Sequence, residues 1–349
     1  MKSWISAIIL CTLIYSFKEF QDYFEERPKF FPPPYSSTNN PTHLGYDLGR
    51  HLFYDPILSI DSSISCASCH QQSSAFSDNL RFSKGVNDNL TSRNSMPLFN
   101  LAWYPKMFWD GRAKTIEEQV LHPVRHSKEM GLNWLEAEKR ISKSPFYKQK
   151  FKKAFGDAKI DSFLIAKSIA QFERALISAN SKYDSVLRGQ AYFTAKELAG
   201  FNHVNDQTKG NCLHCHTTDG NALGTTGKFS NNGLDTAMLH ISFKDKGLGG
   251  NNNILSDYGK FKIPSLRNLL YTAPYMHDGR FNTLEEVLDF YSEGINQSIT
   301  VDSKIANVLN GGQHLTNKEK QEIIAFLKTL SDDSFIENKR FSNPFEQIK

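Results

Sequence analysis

Apolar residues recur along most of this chain at the three- and four-residue spacing of a helix face, and strand-like alternation is scarce. The pattern predicts helices over Leu48–Tyr54, Phe163–Ile177, Thr194–Phe201 and Lys318–Leu330. In the second and fourth of these, Phe172 with Leu176 and Phe326 with Leu330 keep one spacing, which points to two related halves. A longer repeat agrees. Asp110-Gly111-Arg112-Ala113-Lys114-Thr115-Ile116-Glu117-Glu118 recurs as Asp278-Gly279-Arg280-Phe281-Asn282-Thr283-Leu284-Glu285-Glu286. Each copy holds a Thr-x-x-Glu box, Thr115 with Glu118 and Thr283 with Glu286, which satisfies free amides at a helix start, so each segment is expected to run from loop into helix. The expected fold is all-α.

The N-terminus departs from this pattern. Lys2 precedes an apolar stretch from Trp4 to Phe17, the length of a signal-peptide core and short for a membrane span. No clear A-x-A cleavage site follows, so residues 1–20 read as a signal peptide or a retained anchor. Residues 21–36, with Arg27-Pro28 and Pro32-Pro33-Pro34, read as an extended linker. Two folded units are expected after it, over 37–187 and 188–335, followed by a tail over 336–349.

With 39% hydrophobic and 22% charged residues in 349, the chain can bury a core. A net charge of +4 without a Lys/Arg-rich run argues against a nucleic-acid partner. Five cysteines, an odd number, argue against a closed disulfide framework. Cys11 lies in the apolar N-terminal stretch. The other four form Cys66-Ala67-Ser68-Cys69-His70 and Cys212-Leu213-His214-Cys215-His216.

Both are CxxCH, which this composition would produce by chance roughly 0.002 times per chain. The residue types match covalent c-type haem: Cys66 and Cys69, and Cys212 and Cys215, add to the haem vinyl groups, while His70 and His216 become proximal iron ligands. Zinc ribbons also pair CxxC motifs, but usually about 15–20 residues apart and without the invariable following histidine. Two c-haems are therefore expected. Covalent haem is assembled outside the cytoplasmic membrane, so the expected location is periplasmic, with membrane contact only through an N-terminal anchor.

The offset that takes Asp110 to Asp278 takes Pro123 to Tyr291. Proline has no side-chain ligand atom. The outer face of haem 1 is thus expected to be open, and that of haem 2 closed by Tyr291. Met276 is the rival ligand by its spacing from His216, with His277 and Met238 as weaker rivals.

In these and further motifs the chain resembles the bacterial di-haem cytochrome c peroxidase/MauG family. The resemblance runs through Leu52-Phe53-Tyr54-Asp55-Pro56, Arg93-Asn94, Phe108-Trp109-Asp110-Gly111-Arg112, Glu117-Glu118-Gln119, Lys128-Glu129-Met130, Phe261-Lys262-Ile263-Pro264-Ser265-Leu266-Arg267-Asn268 and Ala273-Pro274-Tyr275-Met276-His277-Asp278-Gly279. It implies two class-I cytochrome c domains facing each other, with the peroxidatic haem in the first and the electron-transfer haem in the second. It also implies that Trp109 relays electrons between the haems, that Glu129 moves the proton in peroxide cleavage, and that Gln119 is a polar residue of the distal pocket. A calcium ion held by Asn94, Thr272 and Pro274 follows from the same resemblance.

Two departures matter. The loop Ser83-Lys84-Gly85-Val86-Asn87 lacks the histidine that blocks haem 1 in resting classical members, so haem 1 is expected to be open without reductive activation. Tyr291 stands where those members carry methionine and where MauG carries tyrosine. Before Glu129, His126-Ser127 replaces the usual Asn-Pro, and His126 is expected to be an exposed loop residue. The expected function is reduction of hydrogen peroxide with electrons from a small redox protein, a cytochrome c or cupredoxin. The alternatives are a MauG-like oxidase acting on a residue of a partner protein, and a non-catalytic electron-transfer cytochrome.

Overall fold

A computed structural model describes residues 30–35, 37–217, 223–305 and 310–346. The expected export segment over 1–20 and most of the linker lie outside them. The chain is mostly helical, with α1 (His43–Tyr54), α2 (Ile116–Arg125), α3 (Trp134–Lys143), α4 (Pro145–Phe155), α5 (Ser162–Arg174), α6 (Lys182–Leu187), α7 (Ala195–Asn205), α8 (Leu284–Glu293) and α9 (Asn317–Lys328) as its main helices. Among the described residues, sheet is confined to one antiparallel pair of two-residue strands, β1 (Phe229–Ser230) and β2 (Phe261–Lys262), with Phe229 opposite Lys262.

The helices begin where side chains take up their free amides. Thr115 Oγ1 accepts from the Glu118 amide and Thr283 Oγ1 from that of Glu286, both at 3.1 Å. The carboxylates reach one residue further back than a reciprocal capping box would: Glu118 accepts from the Lys114 amide at 2.7 Å, Glu286 from that of Asn282 at 2.6 Å. The two copies therefore match in side-chain detail as well as in sequence.

Helix α1 packs on α5, and α7 on α9. Each crossing is made at a glycine. A Cβ on Gly49 would lie 2.0 Å from the Ser168 carbonyl oxygen, and one on Gly200 would lie 1.9 Å from that of Glu322. Backbone meets backbone there, so no rotamer change can make room. Gly200→Ala is expected to lower stability by about 1–3 kcal/mol through overpacking, despite the better helix propensity of alanine. Thermal unfolding of the two proteins checks this; an unchanged or raised Tm would show that the crossing can slide apart.

Two hydrophobic clusters organise the core. The first joins Leu48, Leu52 and Phe53 of α1 with Ile165, Ile169 and Phe172 of α5 and Val120 and Val124 of α2. The second joins Val204, Leu284, Leu288, Ile323 and Phe326 with Ala179 and Tyr183. The outermost described segments pack onto these clusters. Residues 336–346, expected as a tail, run back along the first cluster, where Phe341 is buried, Tyr54 Oη donates to the Phe341 carbonyl at 2.7 Å and Arg50 Nε to that of Ser342 at 2.6 Å. At the other end, Phe31 is buried in the second cluster edge-on to Trp103, whose Nε1 donates to the Pro32 carbonyl at 2.7 Å. Burial of those phenylalanines recruits segments whose prolines and polar residues read as linker and tail.

Candidate active site

Each CxxCH motif is folded into a tight turn against a cavity. Cys66–Cys69 form a single helical turn, closed by the Ser65 amide donating to Ser68 Oγ at 3.0 Å and by the His70 amide donating to the Cys66 carbonyl at 3.0 Å. The second motif repeats the closure, the His216 amide donating to the Cys212 carbonyl at 2.8 Å. In both, one imidazole nitrogen is committed to the backbone: His70 Nδ1 donates to the Phe76 carbonyl at 2.8 Å, His216 Nδ1 to the Pro264 carbonyl at 2.9 Å. A carbonyl can only accept, so the proton sits on Nδ1 and the Nε2 lone pair is left for a metal. Burial pushes both imidazoles below their ordinary pKa, which keeps them neutral, as an iron ligand must be.

Burial also pushes the Cys69 and Cys212 thiols up to about 12. Among the described residues, no group of three or more His, Cys, Asp or Glu side chains is arranged to hold a metal ion, so neither CxxCH joins further ligands as in a zinc ribbon. Paired thiols with an imidazole whose Nε2 is free, on the wall of a cavity, fit a covalent haem.

The first cavity, about 1090 Å³, is lined by Cys66, Cys69, His70, Trp109, Gln119 and Glu129. Gln119 and Pro123 stand four residues apart on α2, one turn of one face, and both line it. Gln119 Oε1 is buried there without a hydrogen-bond partner, an acceptor waiting for a ligand that donates. Glu129 is half-buried; burial raises its carboxyl above the ordinary value, and the charges of His126 and Arg112 oppose the rise. His126 Nδ1 lies 3.5 Å from Glu129 Oε1, and its ring is 52% exposed. The loop with no histidine packs behind this carboxylate, the Val86 amide donating to the Glu129 carbonyl at 2.8 Å.

Glu173 was missed from sequence. It is buried on the same cavity wall, with Oε2 unpartnered. Its neighbour Arg174 is spent on Glu117 at 2.6 and 2.9 Å, so burial wins and pushes Glu173 up to about 8. The signal was available: Glu173 falls four residues after Ile169, on the buried face of α5. A carboxyl raised from 4.5 to about 8 on folding holds its proton in the folded protein while the unfolded chain releases it, so stability falls as pH rises across that window. Glu173→Gln removes this titration. The gain in Tm of the variant over the parent is expected to be larger at pH 9 than at pH 5, and an equal difference at both would place a charged, solvated carboxylate at this position.

The second cavity, about 230 Å³, is lined by Cys212, Cys215, His216, Tyr291 and Met276. Tyr291 and Met276 are held by one residue: Asn232 Nδ2 donates to Tyr291 Oη at 3.0 Å and lies 3.7 Å from Met276 Sδ. Burial pushes the Tyr291 phenol up to about 12, the Asn232 hydrogen bond opposing it. Nothing in the sequence singled out Asn232. Met238 is 58% exposed and does not line this cavity, whereas His277 lines both cavities and stacks on Phe261 at 3.6 Å between ring centroids.

Trp109 also lines both cavities. It is buried and locked, its Nε1 donating to the Asn94 carbonyl at 2.9 Å while its own carbonyl accepts from the Lys262 amide at 2.7 Å. Asn94, Thr272 and Pro274, expected as calcium ligands, all lie on the second cavity's wall, although Asn94 Nδ2 is turned to the Leu80 carbonyl at 2.9 Å.

Comparison with known proteins agrees with this geometry. A family model described as di-haem cytochrome c peroxidase matches residues 44–192. Cytochrome c551 peroxidase of Nitrosomonas europaea is 34% identical over 82% of this chain and 80% of that protein. The methylamine utilization protein MauG of Methylophilus methylotrophus is 32% identical over 87% of each. Among solved structures, a MauG-like protein associated with microbial copper homeostasis superposes with a TM-score of 0.83 at 33% identity, covering 92% of this chain and 99% of that one. The diheme peroxidase BthA of Burkholderia thailandensis, with a TM-score of 0.75 over 89% of this chain and 92% of its own but 20% identity, shares the fold.

Proposed function

The chain belongs to the di-haem cytochrome c peroxidase family, and from that premise we propose that it reduces hydrogen peroxide to water with two electrons from a small redox protein, a cytochrome c or cupredoxin, in the periplasm. The first unit, over 37–187, carries the peroxidatic haem and the second, over 188–335, the electron-transfer haem. When bound, the two haems supply the redox chemistry, accepting oxidising equivalents from peroxide and electrons from the donor.

The residues around the first cavity do the rest. Glu129 would take a proton from one peroxide oxygen and return it to the other, which leaves as water. Gln119 Oε1 accepts a hydrogen bond from the bound peroxide and so orients it. Pro123, with no ligand atom, keeps the outer face of the site clear. Trp109, which lines both cavities and is hydrogen-bonded at both its indole and its carbonyl, holds a π-system at the wall between them, where it would relay electrons. Tyr291, with Asn232 donating to its oxygen, closes the second site. Asn94, Thr272 and Pro274, which line the second cavity, would supply oxygen atoms for a calcium ion.

The observation that carries the reading is one cavity wall holding the CxxCH imidazole, an unpartnered Gln119 oxygen and Glu129. Tyr291 in the second cavity and the resemblance to MauG favour a second reading, an oxidase that turns the same site on a residue of a partner protein. A passive electron carrier has no use for Glu129 beside an accessible site. Stopped-flow mixing of the purified oxidised protein with hydrogen peroxide separates these. Steady turnover with reduced cytochrome c or cupredoxin supports the peroxidase; a peroxide-induced spectral change without donor turnover points to the oxidase; no spectral response at all excludes both.

A further inference from the structure

The wall shared by the two cavities contains a cation with no acid. Lys262 lines both cavities, is 3% exposed, and comes from β2, whose amide is tied to Trp109. Its Nζ makes one long hydrogen bond, to the Lys106 carbonyl at 3.3 Å, and sits 4.5 Å over the Tyr104 ring. Among the described residues, no carboxylate comes within ion-pair distance of it.

Its neighbours differ in this respect. On the first cavity's wall Arg93 is paired with Asp110 at 2.6 Å and Asp245 at 2.8 Å, Arg112 with Asp110 at 3.0 Å, Arg280 with Asp235 at 2.8 Å, and Arg81 with Asp278 at 3.6 Å. Lys244 and Lys246 are exposed to water. Burial therefore pulls only the Lys262 ammonium down, to about 7, with Asp110 too distant and too committed to restore it. Burying an uncompensated charge costs several kcal/mol, so a lysine kept in this place implies an anion that arrives from outside the polypeptide. A haem tethered in either cavity brings two carboxylates.

We propose that Lys262 is the ion-pair partner of a haem carboxylate at the wall between the cavities, where its positive charge raises the reduction potential of the haem it touches. This rests on the di-haem reading above. Asp110 cannot take the role of partner, since two arginines already hold it. A lysine suits the place better than arginine because a point charge on a flexible stem can reach a carboxylate that is anchored elsewhere.

The test uses the haem-loaded protein. Lys262→Met removes the charge and keeps the stem. Haem content by pyridine haemochrome comes first: fewer than two haems in the parent refutes the di-haem reading itself. With two haems in both proteins, potentiometric titration is expected to show one midpoint at least tenfold lower in its reduction equilibrium, about 59 mV for a one-electron couple. The resonance Raman bending band of the haem carboxylates is expected to shift as well. Lys262→Arg should keep the midpoint near that of the parent while moving the Raman band. Unchanged midpoints and an unchanged Raman band in Lys262→Met overturn the proposal. If the Met variant fails to take up haem, Lys262→Arg decides: a shifted Raman band supports the ion pair, an unshifted one overturns it.

Discussion

Replacing Glu129 by glutamine is expected to slow peroxide turnover by about 10²–10⁴-fold, the usual worth of a general acid–base group, while haem content and resting spectra stay as in the parent. The substitution keeps the size and hydrogen-bonding reach of the side chain and removes only its ability to take and return a proton. It acts where burial has already raised the carboxyl above its ordinary value. A base must be unprotonated to accept the first proton, so activity of the parent should fall as pH drops through that raised value. The acid limb of the kcat/KM profile should vanish in the variant. Steady-state assays across pH with a reduced donor check both points. Unchanged turnover in Glu129→Gln would remove this residue from the mechanism.

Arg267→Met is expected to cost about 3–5 kcal/mol, because it strands a buried carboxylate. Arg267 and Asp184 face each other with fully buried side chains, Nη1 to Oδ2 at 2.8 Å and Nη2 to Oδ1 at 2.5 Å. Burial alone would raise Asp184; the Arg267 hydrogen bonds and charge outweigh it and hold the carboxyl below the ordinary range. Asp184 also accepts from the Ser181 amide and hydroxyl, both at 2.8 Å, at the start of α6. Adding Asp184→Asn to the variant should recover part of the loss, since a neutral amide still serves Ser181 and leaves no charge behind. The damage should reach the second site, because Pro264, whose carbonyl orients His216, lies three residues before Arg267 on the same segment. Calorimetry of the single and double variants is the measurement; a double variant no more stable than the single would mean that packing, not charge, sets the cost.

Much of the site could be read from local patterns. CxxCH is a covalent requirement written in adjacent residues, and the Thr-x-x-Glu boxes act over four residues, so both could be recognised without knowing the fold. Gln119 and Glu129 needed the family motif to stand out from other polar helix residues. Glu173 escaped because its meaning depends on Arg174 being claimed by Glu117, a contact between α5 and α2. Asn232 and Lys262 escaped for the same kind of reason: each matters through residues far away in the chain, Tyr291 and Met276 for one, Lys106 and Tyr104 for the other.

Residues close in sequence therefore settled the helical character, the two CxxCH turns and the internal repeat, because capping, helical periodicity and the spacing of paired cysteines all operate within a few residues. The pairing of helices through Gly49 and Gly200, the return of the C-terminal segment to the first core, the single wall between the cavities and the unpaired ammonium on it were decided by tertiary packing. Burial and charge compensation depend on which distant segments exclude water together, and only the folded chain defines that.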